Sequence, residues 1–254
     1  MKIGVIGTGI MASYMVTGFC DWECEHEFIL SPRNKERSGA LAAKYKNVTV
    51  AESNQQVLDQ SELVILSVLP QNAEEILSQL KFPKTIKVIS VIAILGLEKI
   101  AEIIGETALL VDILPLPFIG KRIGPIVQYP ANEEIEALMK PLGELIVVNS
   151  TQEMDAIRCI TALMSPYYEL VYSITEWGTN HGLSEPAAKA YTTSFWRALS
   201  ILASQTEEGK LKELAEEMTP GGLNWQATNY LKEQNAFNEW QTALSGILTR
   251  ITKK

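Results

Sequence analysis

The stretch Lys2-Ile3-Gly4-Val5-Ile6-Gly7-Thr8-Gly9-Ile10-Met11-Ala12 decides how the first half of this 254-residue chain must fold. Residues 2–6 form a short apolar run, the pattern of a buried strand. Residues 10–20 carry apolar side chains at helical spacing. The link between them has the arrangement Gly-x-Gly-x-x-Ala. Gly7 permits the tight turn, Gly9 has no Cβ to keep an anion from the helix end, and Ala12 is small enough for the helix to pack on the strand. Free N–H groups and the helix dipole favour a diphosphate there. Glycine pairs recur in ordinary turns; the strand before this one and the helix after it mark Gly7, Thr8, Gly9, Ile10 and Met11 as candidate dinucleotide contacts.

The pattern continues outward. Strand-like runs are expected at 2–6, 27–30, 48–50, 63–67, 85–91, 108–113, 125–128 and 145–148. Helical stretches fall between most of them, at 10–20, 35–45, 54–60, 72–80, 97–104 and 132–142. Alternation of this kind predicts an α/β Rossmann domain with a mostly parallel sheet covered on both faces. Strand signals stop after Asn149. One long helix is expected over 151–177, capped by Ser150 or Thr151, then a helix entered through Ser184-Glu185-Pro186, a charged helix over 207–218, and two more to the end. The division is therefore a dinucleotide-binding domain at 1–149 and an all-α domain at 150–254.

The second strand ends near Leu30, where an NAD site usually presents an acidic residue to the ribose. Here the chain reads Ser31-Pro32-Arg33-Asn34-Lys35-Glu36-Arg37. Ser31 can donate to a 2′-phosphate, Arg33 can grip it with a planar fork, and Lys35 or Arg37 adds positive field. Cations are mildly unfavourable at a helix N-terminus, so their presence points to a bound anion. This favours NADP(H) over NAD(H), with Ser31, Arg33, Asn34 and Lys35 as contacts. Ligands of open α/β sheets lie against the C-terminal strand ends. That places Val68, Leu69 and Pro70 near the adenosine half of a cofactor, and Ser90 and Ala93 near the nicotinamide.

Bulk properties narrow the remaining classes. Twenty-two basic against 30 acidic residues give a net charge of −8, a poor match to nucleic acid or an anionic membrane. No apolar run is long enough to span a bilayer, and no signal peptide is apparent, so a cytoplasmic protein is expected. The three cysteines, Cys20, Cys24 and Cys159, and the two histidines, His26 and His181, form no ligand pattern, so no metal is expected and the thiols are read as unpaired.

The layout resembles the pyrroline-5-carboxylate reductase family over essentially the whole chain. The likeness rests on the Gly7–Ala12 turn, Ser31-Pro32-Arg33, Val68-Leu69-Pro70, Leu114-Pro115, Gly182-Leu183 and Thr219-Pro220-Gly221-Gly222. It implies NAD(P)H-dependent reduction of a cyclic imine to proline or a related imino acid, a role in amino-acid biosynthesis, and a homodimer formed by the helical domain. It also implies a substrate site. Ser165 and Asn224 are its candidate catalytic residues, and Tyr167, Leu116 and the Gly221 and Gly222 amides its candidate substrate contacts. Around these positions the chain diverges. The family's Ser-Gly-Ser-Gly-Pro-Ala-Tyr segment is Leu163-Met164-Ser165-Pro166-Tyr167-Tyr168 here. Its two threonines after Pro-Gly-Gly are Leu223 and Asn224, and its Met-Pro-Asn-Thr-Pro segment is Leu114-Pro115-Leu116-Pro117-Phe118. Two other readings share the plan: a β-hydroxyacid-type dehydrogenase, whose catalytic Lys has no counterpart in 151–177, and a catalytically weak NADP-binding or sensing protein.

Overall fold

The computed structural model describes residues 1–22 and 25–252. Cys24 lies outside them. The described residues divide into two compact units, Met1–Met154 and Asp155–Lys254.

The first unit is a sheet of eight strands with helices between them. In chain order these are β1 (Lys2–Ile6), α1 (Ile10–Cys20), β2 (Glu27–Leu30), α2 (Lys35–Lys44), β3 (Val48–Val50), α3 (Asn54–Asp59), β4 (Leu63–Leu66) and α4 (Pro70–Leu77). They continue as β5 (Lys87–Ser90), α5 (Leu97–Ile104), β6 (Leu109–Leu114), a 3-10 turn (Pro117–Lys121), β7 (Pro125–Tyr129), α6 (Glu133–Met139), a second 3-10 turn (Lys140–Leu142) and β8 (Glu144–Val147). The spatial order is β3-β2-β1-β4-β5-β6-β7-β8. Every pairing is parallel except β6 with β7. The chain therefore leaves β1 in one direction, through β2 to β3, and returns to the other side of β1 at β4. That reversal opens a crevice beyond the C-terminal ends of β1, β2 and β4.

Period-two alternation supplies both faces of the sheet. On one side Ile3, Val5, Phe28, Leu30, Leu63, Ile65 and Ile89 pack with Met15, Val16 and Phe19 of α1. On the other, Ile6, Ile29, Val64, Leu66 and Val88 pack with Val57, Leu58, Ala73, Leu77 and Ile100. β4 is buried along its whole length because helices cover both its faces. Each such side chain withdrawn from water contributes about 1.5–3 kcal/mol before chain entropy is counted.

The second unit is helical. Within or entering it are α7 (Thr151–Thr161), α8 (Met164–Asn180), α9 (Glu185–Gln205), α10 (Leu211–Glu216), α11 (Leu223–Glu233) and α12 (Ala236–Thr252). α8 packs with α9 and α11 with α12. Ser150 opens α7 by accepting from the Glu153 N–H at 3.1 Å, while Glu153 Oε2 accepts from the Asn149 N–H at 2.8 Å. Ser184 Oγ accepts from the Ala187 N–H at the start of α9, with Pro186 in the first turn.

Several expectations need correction. The single helix over 151–177 is two helices, broken at Ala162 and Leu163. Pro166 explains the break: its ring would collide with the Ala162 carbonyl in a continuous helix, but it is tolerated in the first turn of a new one. The charged helix over 207–218 is only the short α10. Gly209, at φ +81°, lies in the left-handed region and cannot belong to a right-handed helix. α4 starts at Pro70 rather than residue 72, since proline is pre-set for the first helical position.

Two helical glycines give a paired test of this packing. A Cβ on Gly18 of α1 would lie 2.5 Å from the Ile119 carbonyl oxygen, whereas one on Gly39 of α2 would meet nothing within 4 Å. Gly18→Ala should lower unfolding free energy by about 1–3 kcal/mol. Gly39→Ala should raise it by about 0.5–1 kcal/mol through lower unfolded-state entropy. Urea titration of both variants checks the opposite signs.

Candidate functional site

Gly7 stands at φ +96°, where an L side chain is strained. Space forbids one as well: a Cβ there would lie 2.5 Å from the Ser67 carbonyl oxygen and 2.9 Å from the Val68 nitrogen. The β1–α1 turn thus lies directly against the end of β4. Gly9 is the opposite case. It is the N-cap of α1, with no side-chain hydrogen bond at the cap, and a Cβ on it would meet nothing within 4 Å. The open space lies where a ligand would approach the uncapped helix. Ala12, the third small residue of the motif, is 1% exposed and packed in the core.

A cavity of about 570 Å³ opens at this point, beyond the ends of β1, β2 and β4. Its walls bring together Gly7, Thr8 and Gly9 from the turn with Ser31, Arg33, Asn34 and Lys35 from the segment after β2. Val68 and Leu69 join them from the β4–α4 junction. These residues come from three separated segments of sequence, and the strand reversal is what collects them. Arg33 and Lys35 are exposed, and neither makes an ion pair among the described residues. Two unpaired cations thus flank the N-terminus of α2, where the helix dipole disfavours positive charge. Asn34 lines the same cavity and also caps α2, its Oδ1 accepting from the Arg37 N–H at 3.1 Å.

Other expected contacts stand apart from these walls. Ile10 and Met11 are the first residues of α1, and Pro70 is the first of α4. Ser90 is fully buried, its Oγ accepting from the Ile92 N–H at 3.2 Å. Ala93 is exposed beyond β5. Its neighbour Ile94 adopts φ +65°, an unusual conformation for a β-branched side chain, and is 41% exposed.

The walls also include Glu36, Asn54, Ser67, Asn72 and Ile76, which the sequence reading did not select. Helical spacing could have found two of them. With α4 begun at Pro70, residues 69, 72 and 76 fall at i, i+3 and i+7 and share one face. Asn54 opens α3 behind Ser53, whose Oγ accepts from the Gln56 N–H at 3.1 Å. Only the sheet order brings Asn54 to the cavity.

The expected substrate residues divide between the two units. Leu116 belongs to the first, half-buried between β6 and the 3-10 turn, with its carbonyl accepting from the Ile119 N–H. In the second, Ser165 and Tyr167 lie in the exposed first turn of α8. Gly221, at φ +73°, and Gly222, the N-cap, lead into α11, and Asn224 is exposed in its first turn. One expectation changes here. The Gly222 N–H donates to the Thr219 carbonyl at 2.9 Å, so this amide has a partner within the turn. The helix end instead presents the Leu223 and Asn224 amides, which have no intrahelical acceptor. Among the described residues no cluster of three or more His, Cys, Asp or Glu could hold a metal, and no helix is long and apolar enough to cross a membrane.

Residues 2–95 match the family described as NADP oxidoreductase coenzyme F420-dependent. Pyrroline-5-carboxylate reductase 2 of Bacillus subtilis (strain 168) is 25% identical over 233 residues, covering 87% of this chain and 83% of that protein. The crystal structure of 1-pyrroline-5-carboxylate reductase from Streptococcus pyogenes superposes with a TM-score of 0.86 at 23% identity, covering 100% of this chain and 99% of that one. A Plasmodium falciparum pyrroline carboxylate reductase, solved with NADP bound, gives a TM-score of 0.84 at 17% identity, covering 99% and 97%. The eight-stranded α/β unit and the helical unit after it thus have the fold of these reductases, and the sequence likeness to pyrroline-5-carboxylate reductases runs through both.

Proposed function

We propose that this chain is an NADPH-dependent reductase of a cyclic imine, converting pyrroline-5-carboxylate to proline or reducing a related imino acid. The observation that carries this reading is the cavity at the strand reversal. It joins an uncapped helix N-terminus, a glycine with open space before it, and the unpaired cations Arg33 and Lys35. A diphosphate suits the first two and a 2′-phosphate the third. The relatives of this chain are reductases acting on pyrroline-5-carboxylate, and one solved neighbour holds NADP.

Bound NADPH would supply hydride, and a protonated imine carbon accepts hydride without a strong acid or base from the protein. The protein's task is then to bind the substrate carboxylate and hold the ring in place. In this reading residues 1–149 hold the cofactor and 150–254 carry substrate binding and dimerisation. Gly221 and Gly222 shape the turn before α11, and the Leu223 and Asn224 amides there suit a carboxylate. Ser165 and the Asn224 side chain are assigned to the imine nitrogen, with Tyr167 and Leu116 as further substrate contacts.

The helical unit leaves large apolar side chains in water. Trp177 is 64% exposed, Tyr191 70% and Leu223 84%. Apolar surface of this extent on helices favours self-association, and we assign it to a two-fold homodimer whose active sites draw on both chains. A biosynthetic role and the buried thiol of Cys159, which forms no disulfide among the described residues, fit the reducing cytoplasm.

Purified protein with NADPH and pyrroline-5-carboxylate should lose the reduced-nicotinamide absorbance in proportion to proline formed. Tight NADPH binding without turnover on any cyclic imine would instead make it a cofactor-binding protein and end the reductase reading. Arg33→Glu should raise the Kd for NADPH about a hundredfold, since a charge-assisted bond is replaced by repulsion, and that for NADH only a few-fold. Equal losses would refute the 2′-phosphate assignment. Light scattering should find a dimer, and Tyr191→Asp should shift it towards monomer with loss of turnover.

A further inference from the structure

Ser31 lies on the cavity wall, in the segment after β2, yet it is 1% exposed. Its backbone N–H donates to the Val5 carbonyl at 2.9 Å, extending the β1–β2 ladder by one residue. Its Oγ accepts from the Gly7 N–H at 2.9 Å and from the Thr8 N–H at 3.3 Å. Thr8 is equally enclosed, at 2% exposure. The Thr8 Oγ1–H donates to the Ser31 carbonyl at 3.1 Å, and the two hydroxyl oxygens are 3.2 Å apart.

Counting protons assigns the remaining contact. A hydroxyl has one proton to donate. Thr8 gives its proton to the Ser31 carbonyl, so the contact between the two oxygens uses the proton of Ser31. Both hydroxyl protons are then engaged inside the pair. Ser31 has none left for a phosphate oxygen, and its burial keeps the oxygen from the open cavity.

We infer that Ser31 is a positioning residue for the dinucleotide: with Thr8 it pins the Gly7–Gly9 turn to the end of β2 and does not read the 2′-phosphate. This inference rests on the cofactor reading proposed above and divides the work within it. Discrimination between NADPH and NADH falls to Arg33 and Lys35. Ser31 instead fixes the direction of the α1 N-terminus, which meets the diphosphate common to both cofactors. Its loss therefore weakens both cofactors by the same factor.

The test compares Ser31→Ala, Ser31→Thr and Thr8→Val, the last an isosteric change that removes only the bonds made by the Thr8 hydroxyl. Calorimetry should give a Kd raised about tenfold for NADPH and for NADH in Ser31→Ala, with their ratio unchanged. Thr8→Val, in which the Ser31 oxygen still accepts from both amides, should weaken both cofactors by a smaller common factor, and Ser31→Thr, which keeps the acceptor oxygen, should restore both affinities. In steady-state assays KM for NADPH should rise while kcat holds. In the cofactor-free protein, amide exchange at Gly7 and Thr8 should accelerate at least tenfold in Ser31→Ala. Loss of NADPH affinity with NADH unchanged would show a direct 2′-phosphate contact and overturn the inference, as would unaltered exchange at those amides. If the unmodified protein binds neither dinucleotide, the cofactor reading falls, and amide exchange still decides whether Ser31 holds the turn.

Discussion

The contact between Gly7 and the backbone at Ser67 and Val68 is the constraint around which the first unit is arranged. Without a side chain, the β1–α1 turn closes onto the end of β4, leaving no room for even a methyl group. β1 and β4 are neighbours in the sheet although β2, β3 and the helices between them intervene in sequence. The close approach fixes where α1 begins. From there α1 can seat Met15, Val16 and Phe19 in the core and bring Gly18 against the Ile119 carbonyl. A displaced turn would shift all of these, and dense packing cannot absorb such a shift cheaply.

The same point in the fold concentrates unmet electrostatic demand. The N-termini of α1 and α2 both lie at the cavity, and Arg33 and Lys35 beside the second make no ion pair among the described residues. Two cations together at a helix N-terminus repel each other and oppose the helix dipole, and an anion placed between them would offset both effects. Asn34, Ser31 and Thr8 beside them find partners within the protein. Asn34 caps its helix, and Ser31 with Thr8 closes a small circuit on the glycine turn. The cavity thus has a rigid, internally bonded floor and a cationic side.

The helical unit shows the converse economy. Its backbone is well terminated: Ser184 caps α9, and the Leu183 N–H reaches back to the Gly178 carbonyl at the end of α8. Its side chains, however, leave much apolar surface exposed, including the aromatics of α8 and α9. The segments around Ser165 and Asn224 lie in this unit, in the exposed first turns of α8 and α11, whereas Leu116 and the glycine turn lie in the first.

The sequence by itself determined the elements that depend on local chemistry. Largely apolar runs of three to six residues made the strands, Gly7 and Gly9 made the turn, and Pro186 and Ser184 marked a helix start, because steric and hydrogen-bonding rules act over a few residues. The break at Pro166 was legible by the same rule: proline excludes helix at the residues before it, whatever surrounds them. What only the tertiary structure decided is which residues meet. Asn54 reaches the cavity because the sheet order carries distant segments to one edge. The Ser31 hydroxyl meets the Gly7 and Thr8 amides because β2 pairs with β1 in a particular register. A hydroxyl twenty-four residues from its partner carries no local sign of where its proton goes, since its choice depends on burial and on acceptors that folding alone supplies.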